Sequence, residues 1–119
     1  MIIENIVPYE FKREAVPVDE YQKGAEILIS EWNGEQSMAF NNLMFEMNAT
    51  PEDKKKFIFF MAAMVACSAI KEDGSPLVDS RHYKELARIL PYKVIERLYD
   101  KAASMNGFTP AVIEKAKKS

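Results

Sequence analysis

The chain is poor in the residues that most often carry chemistry. It has one cysteine, one histidine and one tryptophan in 119 residues, and only four glycines. A single cysteine cannot close an intramolecular disulfide, and a reducing compartment is the simplest reading. One His with one Cys falls short of the three or four ligands that a zinc site needs. The glycines stand at 24, 34, 74 and 107, too scattered to form a phosphate-cradling loop. Long hydrophobic runs are also lacking. The longest uncharged one, Phe57 to Ile70, has 14 residues, whereas a membrane span needs about 20. The start, M-I-I-E-N-I-V-P, has no cationic stretch leading into a long apolar one, so neither a signal peptide nor a membrane partner is expected.

What is present belongs to an ordinary globular chain. Hydrophobic residues make up 48% and charged residues 29%, and the length suits a single domain that needs no metal or disulfide to hold its core. The net charge of -2 conceals an asymmetry. Residues 1–50 carry nine acids and three bases (-6), while residues 51–119 carry nine acids and thirteen bases (+4). Opposite signs in the two halves suit head-to-tail self-association, or they are simply solvated faces. The bases are interleaved with acids and form no stripe, so no nucleic-acid partner is expected.

Local patterns divide the domain. Residues 1–13 show no clear period and read as a disordered arm. Residues 14–29 read as a β-hairpin, with β-prone runs Glu14 to Val18 and Ala25 to Ile29 on either side of Tyr21-Gln22-Lys23-Gly24. Residues 33–107 read as a helical core. Asn33 followed by Gln36 has capping-box spacing. The helix it opens sets Phe40, Leu43, Met44 and Met47 on one face, with Met38 and Phe45 on roughly the opposite side. Thr50-Pro51-Glu52-Asp53 is a start signal: a threonine cap, proline at the first position and acids complementing the helix dipole. The helix it opens is apolar all round in its second half and reads as the central buried element. A helix from Ser80 to Leu90 follows Asp79 as its cap. Another opens at Pro91 and ends at Asn106-Gly107, with Val94, Ile95, Leu98, Tyr99, Ala102 and Met105 on its face. Residues 109–119, from Thr109-Pro110, read as a short terminal helix or tail. The expected fold is mainly α: a small bundle of about five helices around the central apolar one, with a short N-terminal hairpin.

Between the central helix and the next lies I-K-E-D-G-S-P-L-V-D-S-R-H-Y-K-E-L. A calcium loop with Gly74 at its sixth position would put Lys71, Asp73 and Ser80 at the third, fifth and twelfth, so a cation is excluded. Asp73-Gly74 reads instead as a tight structural turn with glycine at positive φ. No motif brings His82 or a serine to Cys67, and Cys67 sits in an apolar helix where cysteine acts as a small hydrophobe. The carboxylate pairs Glu52-Asp53 and Glu72-Asp73 fall at a helix start and a turn, where acids have structural reasons. No catalytic residue, metal or cofactor is therefore expected. Binding surface remains. Seven methionines with twelve phenylalanines and tyrosines form an adaptable apolar inventory. Met38 and Phe45 stand evenly between core and interface, and Tyr92, Tyr99 and Phe108 are candidate anchors for a globular partner.

The run A-A-M-V-A-C-S-A-I-K-E-D-G-S-P-L-V-D-S-R-H-Y-K-E-L, followed by V-I-E-R-L-Y-D-K-A-A-S-M-N-G, resembles the tail assembly chaperone family of long-tailed bacteriophages. The shared features are Asp73-Gly74, Pro76-Leu77, Asp79, Arg97-Leu98, Ala102-Ala103 and Asn106-Gly107. V-P-V-D-E-Y-Q-K-G-A-E-I-L-I-S-E-W is similar to the family's short hairpin, and the likeness spans roughly residues 14 to 107. Lys71, before the turn, departs from the negative or polar residue usual there. The resemblance implies a chaperone that self-associates along the tape measure protein in the host cytoplasm and is absent from the finished virion. It also implies a frameshift-extended form that recruits the tail tube protein. The bottom-up alternative is a small adaptor that binds one globular protein.

Overall fold

Asn33 and Gln36 exchange hydrogen bonds: the Gln36 amide donates to Asn33 Oδ1 (2.9 Å) and the Asn33 amide to Gln36 Oε1 (3.0 Å). This reciprocal cap opens helix α1, Gly34–Ala49, which buries Phe40, Leu43 and Met47. The computed structural model describes residues 1–49 and 57–108. The expected start at Thr50-Pro51 and the expected terminal helix from Thr109 lie outside the described residues.

Helix α2, Phe57–Ser68, is apolar up to Ser68, and from Met61 to Ser68 every residue is buried. Such a helix is stable only when other elements cover every side. Helices α1, α3 (Tyr83–Ile89) and α4 (Tyr92–Met105) all pack against it. The aromatic rings bridge these elements. Trp32 lies 5.0 Å from Phe40, Phe40 5.8 Å from Phe60, and Phe60 5.9 Å from Tyr99, centroid to centroid.

The expectation of a mainly α bundle of about five helices with a two-stranded hairpin is corrected by the structure. The described residues form four α-helices and a three-stranded antiparallel sheet, a mixed α/β arrangement. Strands β1 (Arg13–Pro17) and β2 (Glu26–Ser30) pair with Glu14 opposite Ile29 and Val16 opposite Ile27. The third strand, β3, is Ala69–Ile70. It follows α2 directly and pairs with Leu28 and Ile29. Directly opposed residues share a sheet face, so Val16, Val18, Ile27 and Ile29 face one way, into the core shared with α2 and α4. The sheet therefore buries one face against helices, as a two-layer α/β domain does.

The segment after β3 turns back at once. The Gly74 amide donates to Lys71 O (2.9 Å) and the Lys71 amide to Ser75 O (2.8 Å), with Gly74 at φ +89°. This is a three-residue hairpin loop, a type I turn closed by a left-handed glycine. Asp73 Oδ1 accepts from the Ser75 amide and hydroxyl, which holds the loop. Ile70 then bridges to Pro76, and Asp79 Oδ1 caps a short 3₁₀ turn, Ser80–His82, that leads into α3. At the far end of α4, the Phe108 amide donates to Ala103 O and the Gly107 amide to Ser104 O, with Gly107 at φ +87°. That is the Schellman stop the Asn-Gly pair implies.

Candidate interaction surface

The five candidate interface residues separate by environment. On α1, Met38 is 60% exposed and Phe45 78% exposed, seven residues apart on the side turned away from Phe40, Leu43 and Met47. A helix needs one apolar stripe for its core. These two lie outside that stripe, and their hydration is unrelieved in the free chain.

Tyr92 is also exposed, at the first position of α4, and Ile89 at the end of α3 is exposed near it in sequence. Tyr99 is 1% exposed and belongs to the core, which corrects its assignment as an anchor. It falls one turn after Ile95 and one residue after Leu98, on the buried face of α4, and its ring meets Phe57 and Phe60 edge-on. Phe108 is half-buried, its ring 6.4 Å from that of Trp32, and it serves the Schellman stop. Asp73 and Gly74 form the turn already described.

An open cleft of about 580 Å³ lies between the start of α1, the end of α2 and the 71–80 segment. Its floor includes Ala66, Cys67 and Ala69, and Glu35 and Asp79 stand among its polar lining. Burial pushes the Cys67 thiol up to about 12, a rise that a hydrogen bond with Ser80 only partly offsets. At neutral pH such a sulfur is a thiol, and the nucleophile is the thiolate. His82 is exposed at the start of α3. Among the described residues, no three His, Cys, Asp or Glu side chains are grouped so as to hold a metal ion, and no helix is long and apolar enough to cross a membrane.

A polar network under this surface fixes α1 to the rest. Trp32 Nε1 donates to Ser68 Oγ (2.6 Å), and Ser68 Oγ donates to Met64 O (2.7 Å). The Trp32 amide donates to Asn106 Oδ1 (2.6 Å), and Gln36 Nε2 donates to Cys67 O (2.9 Å). The segment before α1, the first turn of α1, the end of α2 and the end of α4 are thereby locked together, so the exposed side of α1 is presented on a rigid support.

Sequence reasoning passed over one apolar surface. In residues 1–8, Ile2, Ile3, Ile6 and Val7 are all highly exposed. The signal was available in the density of β-branched residues in M-I-I-E-N-I-V-P, which lacks helical period but is prone to extend. Compared with protein-family models, curated proteins and solved structures, the chain matches none.

Proposed function

We propose that this chain is a tail assembly chaperone of a long-tailed bacteriophage. It is a non-catalytic module that self-associates and coats the tape measure protein while the tail tube grows around it. It acts in the host cytoplasm and leaves before the virion is complete. A C-terminally extended form would bring in tail tube protein.

The observation that carries the reading is the pair of exposed apolar side chains on α1, Met38 and Phe45, held on a rigid frame. Exposed large side chains on a supported helix suit contacts with an extended protein client and with neighbouring copies. The resemblance over residues 14 to 107 supplies the client's identity. Its Asp-Gly turn and Asn-Gly stop fall at the hairpin loop after β3 and at the end of α4. Acids of residues 1–50 and bases of residues 51–119 pair in part within the copy, as Glu14 with Lys101 and Glu20 with Arg97. The remaining unlike charges add an attraction between copies that salt weakens. A one-partner adaptor would have used Tyr92, Tyr99 and Phe108, and the burial of Tyr99 removes its middle anchor.

Co-expression with the tape measure protein of the same phage tests this. The expected result is that the long client stays soluble and co-purifies with many copies of this chain. A client that precipitates equally with and without the chain would contradict it.

A further inference from the structure

The sheet has one open edge. The order β1-β2-β3 leaves β1 outermost, while β3 is bridged on its other side by Pro76. The bonds at the two ends of the β1–β2 ladder, the Glu31 amide to Lys12 O and the Val18 amide to Ala25 O, set the parity. Even-numbered residues of β1 turn their backbone groups to β2, so Arg13 and Ala15 turn theirs outward. Among the described residues no strand covers that edge. It closes at Pro17, which has no amide proton and whose carbonyl accepts from Arg97 Nη1 (2.7 Å).

The same chain carries an apolar segment outside the sheet. Tyr9 Oη and the Lys12 amide both donate to Glu31 Oε1, at 2.9 and 2.7 Å, and these bonds tie the base of the segment beside β2. Before that point Ile2, Ile3, Ile6 and Val7 are exposed, in residues with no regular secondary structure. Glu4 is the one charged side chain from Met1 to Pro8, and Arg13 is the one cation of β1.

We propose that the segment Met1–Pro8 of one copy adds as an antiparallel strand to the free β1 edge of a second copy, with Glu4 opposite Arg13. This rests on the self-association reading above and names its linkage. On one face the register sets Ile6 opposite Phe11 and Ile2 opposite Ala15, pairing apolar with apolar and acid with base. On the other, Asn5 meets Lys12 and Ile3 meets Glu14. Ile2 to Ile6 then matches the open length from Phe11 to Ala15 and ends before Pro17. Arg13 Nη1 donates to Glu72 O across the exposed face, a contact it can exchange for the carboxylate.

The partner is a second copy because the base of the segment is held toward β2: Tyr9 Oη and the Lys12 amide both donate to Glu31 Oε1, on the side of β1 away from its open edge. Folding the segment back onto its own outer edge would turn the chain away from that carboxylate. Pairing between copies leaves the donor's own edge free for a third copy, so the contact propagates.

Mixing a Glu4→Cys chain with an Arg13→Cys chain under mild oxidation tests the register. The expected product is a mixed disulfide dimer, exceeding what either chain forms alone; the doubly substituted chain should give a ladder of linked copies. No mixed dimer, or an intrachain bond in the doubly substituted chain, would overturn the proposal. Removing residues 1–8 should raise the concentration at which copies associate by about tenfold or more, with thermal melting and tape measure solubility unchanged. If the shortened chain associates like the full one, the linkage is wrong while the coating reading stands. If instead the full chain fails to keep the tape measure soluble, the coating reading falls on that result, whatever the cross-links give.

Discussion

Ser68 joins three segments through one side chain and one carbonyl. Its hydroxyl accepts from Trp32 and donates to Met64 O, and its carbonyl accepts from Ser30 Oγ (3.4 Å). Ser68→Ala leaves the indole N–H facing a methyl group, and loss of a buried partner costs about 1–3 kcal/mol. Urea unfolding should show that loss, and a cost near zero would mean that water replaces the hydroxyl. Cys67 makes a second residue-scale test. With its thiol buried and pushed up to about 12, it should resist alkylation at pH 8 until denaturant is added. Glu20 gives a pH test. Hydrogen bonds from Arg97, chiefly, and from its own backbone amide lower its carboxyl to about 2 from 4.5. A carboxyl lowered on folding adds stability that is whole above the unfolded value and lost as pH falls through the folded one. The native chain should therefore lose melting temperature between pH 4.5 and about 2 more steeply than Glu20→Gln. Parallel curves would show that the exposed pair contributes nothing. Tyr99 was the residue misread from sequence. Its place among Ile95, Leu98 and Ala102 already marked the buried face, and an aromatic ring with a hydroxyl drew attention as an anchor instead.

Elements that announce themselves through caps were legible, and the short third strand was not. Asn33 with Gln36 marked the start of α1, and Asn106-Gly107 marked the end of α4, because both signals are local hydrogen-bond chemistry. Asn33→Ala should cost about 1 kcal/mol of stability, measured by denaturant unfolding. A wild-type midpoint in that variant would show that Gln36, also bonded to Cys67 O, holds the helix start alone. Strand β3 escaped notice because two residues at the end of an apolar helix have no period of their own. Ala69-Ile70 becomes a strand only because β2 offers an edge and the Lys71–Ser75 turn brings Pro76 to its other side. That single pairing converts a hairpin beside helices into a sheet within the core. The exposed side of α1 was half legible: the sequence set Met38 and Phe45 apart from the core stripe, and the fold left them uncovered.

At the scale of the molecule, the described residues leave unsatisfied the exposed Met38 and Phe45 of α1, the exposed Met1–Pro8 segment and the outer edge of β1. These are features that aggregation-resistant monomers usually suppress. Their presence together, on a chain whose halves differ in charge, supports a protein that works by meeting others. Met38→Asp with Phe45→Asp should leave the melting temperature nearly unchanged, since exposed substitutions alter stability by about 0.5 kcal/mol or less, while weakening contact with client and copies. The most direct measurement is light scattering of the native chain and of that double variant across a dilution series at low and high salt. The native chain should grow in mass with concentration and shrink with salt, and the variant should grow less at every concentration over the same range. A native chain of constant monomer mass up to millimolar concentration, or a variant that grows identically, would contradict the role given to α1.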